Sequence, residues 1–265
     1  LKKLSYLILI LFSSVAQLTS QDVFEGLPYK DGEEITYKIY YNLGFIWIGA
    51  GEVKFKVVER EDHLEYTVTG KTFKAYDPVF KVRDFYISQT SKETMLPYNF
   101  MRDIKEGKYE RFDSIAFDQV DYKIVEYFGH TRSTAERFDF ELKEVVNDMV
   151  SVIYHLRSQP IQTLKEGEQI PVRIFFDKEL FELNVNYKGK QHKRIKGQGR
   201  HWTHHFQPEL IEGYVFKKDD LMDIWVSDDD SQVPLLIESP ISLGSVKAVL
   251  TSYKRDGQAT ETDDY

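Results

Sequence analysis

The residues whose types and spacing could do chemistry are few, and the densest group is the string GRHWTHHF, which holds His201, His204 and His205. Imidazole is the commonest metal ligand, and three of them with a fourth donor such as His192 could hold zinc or copper. On a strand, His201 and His205 share one face and His204 takes the other; on a helix, His201 neighbours His204 or His205. There is no H-E-x-x-H, and no carboxylate lies inside the cluster to serve as general base. A metal-dependent hydrolase using His201, His204 and His205 therefore stands as the alternative to a solvated loop cluster.

Acidic residues form the second group. Asp228, Asp229 and Asp230 follow Asp219, Asp220 and Asp223, without the alternating ligand positions or the glycine that a calcium loop needs. A hairpin turn with a negative tip accounts for the run, since Asp tolerates turn geometry and end charges discourage edge pairing. The chain carries 43 acidic residues, so carboxylate pairs are always at hand, and only their separation in space could make a glycosidase. No G-x-S-x-G and no phosphate-cradling glycine loop is present. The reading leans against an enzyme and expects no cofactor.

The elements that must position these side chains are mostly strands. From Glu34 the dominant period is two: Ile35, Tyr37, Ile39 and Tyr41 share one face, and Val53, Phe55 and Val57 repeat the pattern after NLGFIWIGAG. The glycines at 44, 49 and 51 predict a turn and a bulged or closely packed strand start. Alternation continues through Ala135–Leu142, resumes at Val172 and predicts strands as far as Val246–Tyr253, one of them at Gly213–Lys217. Strands recurring every 8–12 residues or so between polar turns are the mark of an antiparallel meander. One segment departs from it. Val145, Val146, Met149, Val150, Ile153 and Leu156 are spaced at three and four, predicting a helix over about 145–157 that Pro160 follows. Its apolar stripe must lie against the sheet. The fold class is mainly β, with one main helix.

Residues 1–20 carry Lys2 and Lys3, an apolar core and small residues before a cut after Ser20 or Ala16, which is the plan of a secretory signal peptide. The apolar run is shorter than the ~20 residues of a spanning helix. The domain reading is a signal at 1–20, a single β-rich domain at 21–254, and a polar, frayed tail at 255–265. Export to the periplasm or the outside is expected, with a peripheral association with the outer membrane at most. The chain has no cysteine, which excludes disulfides, thiolate metal sites and a lipid-modified cysteine. A formal net charge of -8 argues against nucleic acid as a partner.

Three strings, FIWIGAGEVKFKV, DMVSVIYHLRSQP and WVSDDDSQVPLLIESPISLGSVKAVL, occur in an order that resembles a family of exported bacterial proteins known as domain of unknown function 3108. The resemblance implies a strongly curved antiparallel sheet, an incomplete β-barrel similar in outline to periplasmic lipoprotein carriers, with a helix against it. It implies no activity and no functional residue. A concave face lined by Phe45, Trp47, Tyr66 and Phe85 could shelter a lipid or another apolar molecule; the alternative is that these rings pack under the helix. Trp202 and Trp225 read as core. The preferred function is non-enzymatic binding of an apolar ligand or an envelope protein, with a structural scaffold as the remaining alternative. An apolar hollow of more than about 300 Å3 would make ligand binding the default.

Overall fold

The computed structural model describes residues 26–43, 46–210, 221–240, 244–255 and 258–261. The signal segment, Phe45, the strand expected at 213–217 and the acids Asp219 and Asp220 lie outside the described residues.

Period-two alternation becomes one long meander. Its first half runs through β1 (Glu34–Leu43), β2 (Ile46–Glu59), β3 (His63–Thr72), β4 (Arg83–Ser91), β5 (Pro97–Glu106), β6 (Tyr109–Asp118), β7 (Lys123–Gly129) and β8 (Glu136–Glu141). The second half runs through β9 (Gln169–Phe176), β10 (Glu179–Ile195), β11 (Gly199–Pro208), β12 (Asp223–Ser227), β13 (Pro234–Pro240) and β14 (Ser245–Arg255). Every named pairing is antiparallel, and β1 pairs with β14, which joins the two meanders into one sheet ending at β8 and β9. The tail departs from expectation: Gln258–Glu261 form β15 and pair with β14, because that strand still offers a free backbone edge there.

The helix α1 is shorter than its apolar stripe, spanning Ser151–Arg157. The preceding residues are extended, and Asn147 makes a parallel bridge to Ile174: its N–H donates to the Arg173 carbonyl, and its own carbonyl accepts from Phe175. Sheet pairing wins here because β9 presents an unsatisfied edge. The segment thus partly covers the gap between β8 and β9, so the barrel is incomplete but not gaping.

Apolar side chains of α1 divide the core. Val150 and Tyr154 join Tyr66, Phe100, Ile115 and Phe117 from the first meander. Val152 joins Ile170, Val185, Phe206 and Val226 from the second. A third cluster lies on the opposite face of β12–β14, where Trp225, Leu236 and Val249 are cross-strand neighbours. The end of the β10–β11 hairpin covers it: Ile195 is buried there and the Gln198 amide donates to the Leu250 carbonyl. Gly51 shows how tightly the strands pass, since a Cβ at that position would lie 2.4 Å from the Lys71 carbonyl oxygen.

Candidate functional site: the hollows of the concave face

Inward residues of β1 and β2 line two hollows end to end. The larger, about 650 Å3, opens at one end of the sheet and is walled by Ile39, Tyr41, Ile48, Val53, Val79 and Phe80 among others. The smaller, about 250 Å3, lies beneath α1 and is walled by Ile153, Leu156, Ile170, Phe206, Ile224 and Ile237 among others. Tyr37 and Phe55, packed edge to face with centroids 5.8 Å apart, stand one inward position beyond Ile39 and Val53, at the division between the two. An apolar cavity of this order stays dry and takes apolar guests.

Polar groups in the open hollow are few. Asp84 projects into it from β4, its Oδ1 accepting the Lys105 N–H at 3.0 Å. Burial pushes its carboxyl up to about 7, and the nearby Glu106 adds to the rise against the pull of that hydrogen bond. Near neutrality Asp84 can therefore donate a hydrogen bond to a guest's polar end. Lys71, at the same wall, is held by Glu52 at 3.2 Å.

The four aromatic residues chosen from sequence do not share this surface. Tyr66 is fully buried, stacked on Tyr154 at 3.9 Å with its hydroxyl 3.1 Å from that of Tyr29. Phe85 pairs with Thr69 and Asp103 on the face opposite to its neighbours Asp84 and Tyr86. Trp47 is exposed at the β1–β2 tip beside Lys247, whereas the adjacent Ile48 faces the hollow. Phe45 lies outside the described residues. A bulge at Ala50 and the strand alternation separate these rings, and the spacing of aromatics carried no sign of it.

The histidines are likewise kept apart. His205 stacks on Trp225 on one face, with Nε2 2.7 Å from Asp223 Oδ1. His204 faces the other way, its Nδ1 2.8 Å from the Tyr187 hydroxyl and its Nε2 2.9 Å from Asp228 Oδ1. A proton on Nε2 donates to Asp228 while Nδ1 accepts from Tyr187. Burial would raise the Asp228 carboxyl, but hydrogen bonds from Lys190 and His204 hold it below its ordinary value. His201 meets only the Gln198 carbonyl, and His192 stacks on Trp202. Among the described residues no group of three His, Asp or Glu could hold a metal ion. The metal set fails because alternation turns neighbouring imidazoles to opposite faces. Trp225 is core, but Trp202 is half-exposed, which corrects its reading as core.

Sequence reasoning missed two buried ionic groups on the concave side. Arg157 of α1 meets Glu33 through two bonds, at 2.6 and 3.1 Å, and also donates to the Ser231 carbonyl. Arg102 of β5 contacts Asp113 at 3.2 Å and also Asp177 of the β9–β10 turn, with Glu126 buried alongside. The signal was present in part: Arg102, Asp113 and Glu126 stand at inward positions of their strands.

A strongly curved sheet whose inner face carries a helix and whose end strands β8 and β9 do not pair with each other is an incomplete barrel, and known proteins share it. The crystal structure of a beta-barrel-like protein of the domain of unknown function DUF1849 from Brucella abortus is similar at a TM-score of 0.55 and 8% identity, covering 86% of this chain and 98% of that one. The family described as Protein of unknown function (DUF3108) matches residues 36–251, and the chain belongs to it. No curated protein sequence matches the chain significantly.

Proposed function

We propose that this is an exported cell-envelope protein that binds an apolar molecule, without catalysis, in the hollows of its curved sheet. The observation that carries the reading is the open hollow of about 650 Å3 with mainly apolar walls, above the size at which ligand binding is the default. Tyr37 and Phe55 divide it from the smaller hollow under α1. Asp84 supplies one protonatable contact for the guest's polar end. The signal-like residues 1–20 support export.

Gly70 makes the test specific. It borders the open hollow, and a Cβ there would meet only Asp84 and Val53, at 3.6 and 3.9 Å, which is ordinary contact. Gly70→Phe should fill the space, lower affinity for a fluorescent acyl-chain probe at least tenfold, and leave the melting temperature close to wild type. Native mass spectrometry of protein recovered from its own envelope should show an extractable apolar species. Equal probe binding by Gly70→Phe, or no binding by either protein together with an empty extract, would sink the reading. With Asp84 as the donor, affinity for a guest with a neutral polar end should fall as pH rises through about 7, and Asp84→Asn should remove that dependence.

A further inference from the structure

The mouth of the open hollow is framed by two projecting segments with large apolar side chains in water. At the β1–β2 tip, Ile46 is 64% exposed, Trp47 38% and Ile48 36%; in the loop before β4, Val79 is 85% and Phe80 52% exposed. The two are neighbours, because the Phe73 N–H donates to the Ala50 carbonyl, and Ile48, Val79 and Phe80 all border the one hollow. Scattered exposed apolar residues need no explanation; three bordering one opening, with Ile46 and Trp47 beside them, do.

Charge selects the partner. Although the chain has a net charge of -8, the loop carries Lys74 and Lys81 on either side of Val79 and Phe80, and the β5–β6 turn beside it adds Lys108. The turn is fixed to the loop by the Gly107 N–H, which donates to the Lys81 carbonyl. These three lysines are exposed and make no close ion pair among the described residues, although Lys81 feels the charge of Asp77, the one acid of the loop, which Arg83 holds at 2.7 Å. Lys247 lies over the Trp47 ring at 4.3 Å. Apolar and aromatic tips beside exposed Lys74, Lys81 and Lys108 complement a bilayer surface, where rings sit at headgroup depth and lysines meet anionic phosphates.

We infer that this end of the molecule docks on a bilayer containing anionic phospholipid, with Val79, Phe80 and the β1–β2 tip in the headgroup region and the hollow facing the lipid. The inference takes the proposed binding hollow as its cargo site, but the docking surface stands on its own residues. No helix among the described residues is long and apolar enough to span a membrane.

The test uses the full chain with vesicles of phosphatidylcholine alone or mixed with phosphatidylglycerol. The expected result is co-sedimentation with the mixed vesicles, weakened by salt, and quenching by brominated lipid of a fluorescence component that Trp47→Phe removes. Val79→Asp with Ile46→Asp should lower partitioning at least tenfold, and each of Lys74→Glu and Lys81→Glu about fivefold or more. Both pairs sit at exposed positions, so melting temperature should hold. Any binding by residues 1–20 is common to all variants, and Trp47 quenching reads this surface alone. Gly70→Phe should dock like wild type, which separates loss of cargo binding from loss of docking. Unchanged partitioning in the aspartate variant, absent Trp47 quenching, or a dimer or protein complex that Val79→Asp dissolves without any vesicle binding would each overturn the inference.

Discussion

Two buried arginines face the interior of this sheet, and their surroundings differ in one respect that decides their behaviour. Arg157 meets one carboxylate, Glu33, in a two-bonded pair that the Tyr253 hydroxyl also supports, with the rings of Tyr29 and Tyr154 against its guanidinium. Arg102 has three acids around it, and the fully buried oxygens of Asp113 and Glu126 find no hydrogen-bond donor among protein side chains held in place. One cation that also pairs with the half-exposed Asp177 cannot hold two buried carboxylates away from water, so a proton must take its share. Burial, with the charge of Asp113, pushes Glu126 well above its ordinary value; burial likewise raises Asp113, though Arg102 and a hydrogen bond from protonated Glu126 pull it back. The first group is a fixed brace between α1 and the segment leading into β1. The second is a joint between the first meander and the β9–β10 turn whose strength depends on its protonation.

The largest expected effect breaks the brace. Arg157→Met should cost about 3–5 kcal/mol by leaving Glu33 charged and unpaired in the core, and the double change with Glu33→Leu should recover much of it. Urea unfolding of the two proteins decides this; a loss below about 1 kcal/mol in the single variant would mean that water reaches Glu33.

Next comes the joint. Because the folded state raises both carboxyls, it binds more protons than the unfolded chain above the ordinary carboxylate range. Its contribution to stability is complete below about pH 4 and declines as pH rises until the shared proton is gone, by up to about 1.4 kcal/mol per unit for one proton. Glu126→Gln should flatten that slope in unfolding curves taken across acidic to neutral pH. Equal slopes in wild type and Glu126→Gln would show that this pair takes up no proton on folding.

A third, smaller comparison lies within the histidine string. His204→Ala leaves the Tyr187 hydroxyl and Asp228 without their shared partner and should cost about 1–3 kcal/mol. His201→Ala, which removes one contact to the Gln198 carbonyl, should change stability by about 0.5 kcal/mol or less. Neither should alter metal content by elemental analysis.

Much of the fold was legible because alternation is a local property. Ile35 and Tyr37 are both buried as their period predicts. The helix was legible by type but not by length, since Val146 and Val150 spend the same apolar spacing on the first meander's core while Asn147 between them pairs with the edge of β9. The candidate site was legible only as an idea. Tyr66 and Phe85 are equally aromatic in sequence, and one lies in the core while the other faces outward, because their positions differ by an odd number of residues through a turn no period can count across.

Residue pattern alone determined that the chain is pleated, antiparallel and interrupted once by a helix, because side-chain direction along a strand follows from neighbouring residues. Tertiary structure decided everything that needs distant strands to meet: which side of the curve is hollow, that His204 turns to Asp228 and not to His201, and that Arg102 must serve three acids. Curvature accumulates over many strand pairs and is written in no single stretch of residues; the glycines at 49 and 51 announced the bulge at Ala50, but not which distant side chains it would bring together.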